Sequence, residues 1–300
     1  MIDKLEYLLA LAREKHFGRA AQACGISQPA FSAAIRQLED IVGAPLVDRG
    51  SRFIGFTAEG ERTLDWARRI VGDARAMRAD LDTMKKGLTG HLRIAVIPTA
   101  LPMVSRLTTA FSERWPQVQL SVFSRNSVEA LRDLENLETD ACLTYLDNER
   151  LGRVTATPLY RERYHLVTSA DRPFGTRRTV TWKELASIPL CLLTPDMQNR
   201  RIIDHAFADA GVTPEAKLES NSIMVLAAHV RTGRWCSVMP RILAEALGLA
   251  SAGIVAIPIV EPQITHTIGL VTTARDLEPP LIRALIAEAR RLAPTLTDIA

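Results

Sequence analysis

The chain has 300 residues, of which 47% are hydrophobic and 24% charged, and a net charge of +3. That length holds two domains with room for a third, and the composition excludes a disordered or fibrous protein. No apolar run approaches a membrane-spanning length. Charge alone does not point to nucleic acid, since residues 1 to 90 carry 14 Lys and Arg against 12 Asp and Glu. The start, MIDKLEYLLALAREK, is an amphipathic helix carrying acids, with Ile2, Leu5, Leu8, Leu9 and Ala12 on one side. It does not read as an export signal, so a cytoplasmic protein is expected. The four cysteines, Cys24, Cys142, Cys191 and Cys236, sit in apolar runs without metal-ligand spacing, which predicts buried, reduced thiols and no metal.

From His16 to Leu46 the sequence reads HFGRAAQACGISQPAFSAAIRQLEDIVGAPL. A short helix with Phe17, Ala20 and Ala21 inward breaks at Gly25, and a second helix is opened by Ser27, as cap, and Pro29. Phe31, Ala34, Ile35 and Leu38 face the core, which leaves Gln28, Ala30, Ser32, Ala33 and Arg36 outward. Small residues let such a helix enter a major groove, Gln and Arg supply donors for base edges, and Ser reaches phosphate. On periodicity alone an ordinary helical hairpin fits as well. The next stretch, PLVDRGSRFIGFTAEGE, reads as a two-stranded wing whose turn carries Arg49 and Arg52, placed for phosphate or minor-groove contact. Between Lys15 and Thr57 five basic residues stand against only Glu39, Asp40 and Asp48, so the case for DNA rests on placement.

Thr57 caps a long helix whose first turn carries Glu59 and Glu61. Apolar residues recur at Leu64, Ala67, Val71, Ala74, Met77, Leu81, Met84 and Leu88, the spacing of a coiled-coil seam. One apolar stripe needs a partner. A second copy is the simplest, giving a dimer with two reading helices and an operator that is an interrupted palindrome; packing against the rest of the same chain is the alternative. After Gly87 and Gly90 the pattern becomes alternating: HLRIAVIP, QLSVFSR and TDACLTY as strands, ALPMVSRLTTAFSERWP and VEALRDLENLE as helices, a βαβαβ series. A second series follows: RYHLVTS, helix TWKELASI, PLCLLTP, helix NRRIIDHAFADAG, AKLES, helix SIMVLAAHVRTG and WCSVMP. The chain returns through IVAIPIV and HTIGLVTTA to the helix PPLIRALIAEARRLA. Two α/β lobes of this kind suggest a hinged module like a periplasmic solute-binding protein.

In open α/β sheets ligands bind beyond the carboxyl ends of strands, where helix N-termini attract anions. By position the candidates are Thr99 and Ala100 after the first strand, Ser124 and Asn126 after the second, and Thr144 at the end of the third. Met197, Gln198, Asn199 and Asn221 would answer from the other lobe. Each polar side chain there could equally be a plain helix cap. Small polar groups at opposed helix N-termini favour a compact anion, in particular a carboxylate, and no aromatic cluster falls at these loops to hold a large ring.

FGRAAQACGISQPAFSAAIRQLED followed by VGAPLVDRGSRFIGFTAEGE resembles the LysR-type transcriptional regulators in order and spacing, and the likeness extends over the whole chain. Ala33 and Val47 depart mildly from the family's habit. The resemblance implies a winged helix-turn-helix over residues 1–57, a dimerising linker helix over 58–90, and a bilobed effector module with lobe 1 at 91–160 plus 266–300 and lobe 2 at 161–265. It implies double-stranded DNA and a small-molecule effector as partners, self-association to a dimer and tetramer, RNA polymerase as a candidate contact, no cofactor and no membrane. TPDMQNRRIIDHAF and ESNSIMVLAAHVRTGRW further resemble members controlling formate dehydrogenase genes, which implies formate as effector. Ser27, Gln28, Pro29, Ser32, Arg36, Arg49 and Arg52 are the expected DNA-binding residues. The competing classes are an α/β enzyme, for which no phosphate loop, nucleophile elbow or His/carboxylate set is present, and a solute-binding protein without a DNA role.

Overall fold

Met1 begins the helix α1 (Ile2–Glu14), which ends in a left-handed Lys15, and α2 (Phe17–Ala23) and α3 (Gln28–Val42) follow at once. The computed structural model describes residues 1–49, 53–147, 151–172 and 174–296, with Arg49 described by its backbone. The turn between α2 and α3 is made at Gly25, whose φ of +70° suits a residue without Cβ. His16 caps α2, its Nδ1 accepting from Gly18 N at 3.1 Å and Arg19 N at 3.3 Å. Strands β1 (Val47–Arg49) and β2 (Phe53–Phe56) pair antiparallel as a wing. Helix α4 (Ala58–Lys86) completes this first unit, which is built on Met1–Leu88.

One core serves the unit. Leu5, Leu8 and Leu11 of α1, Ala20 and Ala21 of α2, Phe31, Ile35 and Leu38 of α3, and Leu64, Ala67 and Val71 of α4 are all buried in it. Aromatic rings run through it as a chain, Tyr7 to Phe31 at 5.6 Å, Phe31 to Phe17 at 6.1 Å, Phe17 to Phe53 at 6.4 Å and Phe53 to Phe56 at 5.2 Å. The expected seam of α4 therefore divides. Its first third belongs to the core of its own domain, whereas Met77, Leu81 and Met84 are 59%, 50% and 79% exposed.

The second unit is built on Thr89–Leu134, Thr139–Arg275 and the chain from Leu281. It opens with β3 (Gly90–Val96), α5 (Leu101–Arg114), β4 (Val118–Ser124), α6 (Ser127–Glu135) and β5 (Ala141–Tyr145). There follow β6 (Val154–Ser169), β7 (Val180–Thr181), α7 (Trp182–Leu185), β8 (Leu190–Leu193), α8 (Gln198–Asp209) and β9 (Ala216–Ser220). The unit ends with α9 (Ile223–Arg231), β10 (Ser237–Pro240), α10 (Arg241–Ala246), β11 (Ile254–Val260), β12 (Thr265–Thr273) and α11 (Pro280–Leu296). Strands β4, β3 and β5 are parallel, as the βαβαβ pattern requires, and β12 lies antiparallel beside β5. The sheet continues through β6 and β11 to β7, with β10 also on β6. β8 pairs parallel with β9, and Cys191 N donating to Cys236 O at 2.8 Å and Cys236 N donating to Pro189 O at 3.0 Å join β8 to the residue before β10.

Four elements differ from the sequence reading, the first being the two-residue strand β7, which it lacks. β6 has 16 residues and begins nine before the expected Arg163, pairing with β12 from Val154 to Arg163 and with β10 and β11 beyond it. α7 is a single turn set by a reciprocal Thr181–Glu184 cap, where a longer helix is expected. α10 is a helix that the sequence reading lacks.

Candidate nucleic-acid interface and effector pocket

The N-terminal half of α3 is the exposed face of the first unit. Ser27 caps the helix, its Oγ accepting from Ala30 N at 3.4 Å, and Gln28, Pro29, Ala30, Ala33 and Arg36 are exposed while Ser32 is half-buried. Phe31, Ile35 and Leu38 point the other way into the core, so burial of one stripe fixes the presentation of the other. Glu39, from the same helix, accepts from Leu46 N at 3.0 Å and Val47 N at 3.3 Å and so ties α3 to the wing. Thr57 does the same for α4, donating to Pro45 O at 2.7 Å and accepting from Gly60 N at 2.9 Å. Arg52 and the side chain of Arg49 lie outside the described residues.

In the second unit a small cavity lies at the carboxyl ends of β3, β5 and β8. It is lined by Ile97, Pro98 and Thr99, by Asn126 and Ser127 at the start of α6, by Tyr145, and by Leu193, Met197, Gln198 and Asn199 at the start of α8. It is small, with room for roughly one water molecule. Asn126 caps α6, accepting from Glu129 N at 2.8 Å while Glu129 accepts from Asn126 N at 3.2 Å. No side chain caps α8, whose first amides are therefore available to a bound group.

Of the nine expected effector residues, Thr99, Asn126, Met197, Gln198 and Asn199 line this cavity and four do not. Ala100 is fully buried behind Thr99 and contributes no polar group. Ser124 is exposed on the last residue of β4, and Asn221 is exposed ahead of α9. Thr144 is displaced by the alternation of a strand: Tyr145 turns to the cavity and Thr144, one residue earlier, turns to the opposite side, where its buried hydroxyl has no hydrogen-bond partner among the described residues. Tyr145 Oη lies 3.2 Å from Thr99 Oγ1, donates to Glu162 Oε2 at 3.2 Å and accepts from Asn199 Nδ2 at 3.4 Å. Glu162 is the group the sequence reading missed. Burial raises its pKa to about 7, against the lowering effect of the hydroxyl groups of Tyr145, Thr99 and Tyr160, of which Tyr145 and Tyr160 bond the carboxyl directly. Its signal was present in YRERY, where Tyr160, Glu162 and Tyr164 share one face of β6 at period two.

Among the described residues no basic side chain lines the cavity. Arg200 turns back to Leu193 O at 2.9 Å, Asp204 at 2.8 Å and Glu219 at 2.6 Å, and Arg201 to Gln198 Oε1 at 2.7 Å and Asp196 O at 2.9 Å. No cysteine lines it either. Cys142, Cys191 and Cys236 are buried and Cys24 half-buried. Burial pushes the Cys142 thiol up to about 12 and the Cys191 thiol up to about 11. Among the described residues no cluster of His, Cys, Asp and Glu could hold a metal ion, and no helix is long and apolar enough to cross a membrane.

A winged helix-turn-helix followed by a two-lobed α/β module with a pocket at its strand ends defines an effector-responsive DNA-binding regulator of transcription. Residues 2–61 match the model of the bacterial regulatory helix-turn-helix protein of the lysR family, and residues 85–294 match the LysR substrate binding domain. The chain belongs to the LysR family of transcriptional regulators. It is 29% identical over 274 residues to the DNA-binding transcriptional dual regulator OxyR of Escherichia coli, covering 90% of this chain and 88% of that protein. It is 27% identical to a probable nitrogen assimilation transcriptional activator of Synechococcus elongatus, covering 94% and 92%. Among solved structures, a full-length OxyR variant from Pseudomonas aeruginosa superposes with a TM-score of 0.76 at 25% identity, covering 98% of this chain and 99% of that one. The fold is shared with full-length CbnR in complex with its target DNA, at a TM-score of 0.60 and 20% identity, covering 98% and 100%.

Proposed function

We propose that two copies of this chain pair through the exposed end of α4 and present two α3 helices to an operator that is an interrupted palindrome. Gln28 and Arg36 read base edges there, and Ser27, Pro29, Ser32, Arg49 and Arg52 border or hold the backbone. The observation that carries this reading is the exposed, uncrowded N-terminal face of α3, held against the wing by Glu39. The working boundaries are residues 1–57 for DNA binding, 58–90 for the linker, 91–160 plus 266–300 for lobe 1 and 161–265 for lobe 2. Dimers pair into a tetramer, act in the cytoplasm on DNA and meet RNA polymerase there. A small carboxylate sits in the pocket at Thr99, Asn126, Met197, Gln198 and Asn199, with the uncapped amides of α8 as its anchor. Formate, and with it control of formate dehydrogenase genes, is the narrower version. It draws support from the likeness of residues 194–207 and 219–235 to such regulators, whereas the E. coli relative named above is OxyR.

Footprinting on the DNA flanking the gene tests the first part. The wild type should protect two half-sites separated by whole helical turns, and Arg36→Ala and Gln28→Ala should each weaken protection by roughly five- to a hundredfold, the worth of one good base contact. Equal protection by both variants would remove α3's N-terminal face as the reading surface. Thermal shift against small carboxylates with Thr99→Ala and Asn199→Ala tests the second part, and unchanged shifts in both variants would rule the pocket out.

A further inference from the structure

Beneath the pocket lies a carboxyl group to which the functional reading gives no task. Glu162 stands where β6 stops pairing with β12 and starts pairing with β10 and β11, and it is 1% exposed. Its Oε2 accepts from Tyr145 Oη at 3.2 Å and its Oε1 from Tyr160 Oη at 3.4 Å. The groups that face it are Tyr145 from β5, Tyr160 and Tyr164 from its own strand, His266 directly opposite on β12, Thr99 from the turn before α5 and Asn199 from α8. Of these only His266 can gain a positive charge, and burial lowers its pKa. Arg161 and Arg163 are exposed on either side, and Arg200 and Arg201 are tied elsewhere. Glu162 is thus a buried acid addressed by hydroxyl groups.

The protons can be counted. Tyr145 has one hydroxyl proton, and Asn199 Nδ2 can only donate to it. While Glu162 is ionised, Tyr145 gives its proton to the carboxylate and accepts from Thr99, which then offers the pocket a lone pair. With Glu162 protonated, the carboxyl O–H donates to Tyr145, Tyr145 donates to Thr99 Oγ1, and the Thr99 proton turns into the pocket. One proton taken up at Glu162 converts Thr99 from acceptor to donor, with no other atom gained or lost.

We propose that Glu162, acting through Tyr145 and Thr99, sets the hydrogen-bonding polarity of the pocket, so that a carboxylate effector enters with uptake of one proton. This rests on the reading that the pocket holds the effector. Burial raises the Glu162 pKa to about 7, so both states are populated near neutrality. Glu162 is a positioning residue and Thr99 the one that touches the ligand.

Isothermal titration of the full-length chain with sodium formate, which stays ionised throughout, at pH 6 and pH 8 tests the proposal. The wild-type Kd should rise about tenfold between them, the linkage expected of one proton on a group titrating near 7. In Glu162→Gln the Kd should be the same at both pH values. Tyr145→Phe keeps the acid but cuts the relay, so its Kd should change by less than about twofold; it also serves if Glu162→Gln does not fold. A wild-type Kd that does not move, a tenfold change that survives Tyr145→Phe, or no formate binding at either pH would overturn the proposal. Formate binding undisturbed by Met197→Trp, which fills the pocket, would instead overturn the reading of the pocket as the effector site.

Discussion

At Glu162 the cost of burying a carboxyl shows up as a dependence of stability on pH. Its folded pKa of about 7 lies above the ordinary 4.5, so the folded chain holds the proton more tightly than the unfolded one. The contribution is fully present below pH 4.5 and is lost as pH rises through 7, at up to about 1.4 kcal/mol per unit. Urea denaturation at pH 5, 6, 7 and 8 should show the wild type losing ground steadily to Glu162→Gln until about pH 7 and no further. Gly60 makes a different demand. A Cβ there would stand 2.0 Å from Leu46 O and 3.1 Å from Phe56 Cβ, so the first turn of α4 can meet the wing only without a side chain. Gly60→Ala should lower the stability of the first unit by about 2 kcal/mol or more, read by denaturation followed at Trp66.

Helix α4 combines two kinds of element. Its buried Leu64 is a core residue, and Leu64→Ala should cost about 2–5 kcal/mol of stability without altering subunit number. Leu81 is half-exposed, and Leu81→Asp should leave folding intact and shift the protein towards monomer, as measured by light scattering. The sequence alone could not divide the stripe, because periodicity reports that a residue needs apolar company and says nothing about which neighbour provides it. Helix α3, the wing and the βαβαβ order from β3 to β5 were legible, since each pairs a regular apolar period with a clear cap or turn. β6 was half hidden because Arg161, Glu162 and Arg163 put charges on both faces of a strand and defeat the test of alternation. Thr144 was chosen over Tyr145 by residue type, where strand parity decides which of two neighbours meets the pocket.

Taken whole, the molecule has no thiol at the pocket proposed for its effector. Asn199, Thr99 and Tyr145 meet at the pocket, with every cysteine elsewhere. Thiols held at raised pKa values are poor nucleophiles towards peroxide. Operator footprints should therefore be the same with peroxide, with dithiothreitol, and in a variant with Cys142, Cys191 and Cys236 changed to Ala. The split character of α4 has one further result. Its first turns are packed into the core that carries α3 and its last turns expose Met77, Leu81 and Met84, so any tilt of this rod, about 43 Å long at 1.5 Å per residue, would carry the DNA-binding head with it. A tilt of roughly 5° imposed at the free tip carries the opposite tip through about 4 Å, comparable with the rise of one base pair.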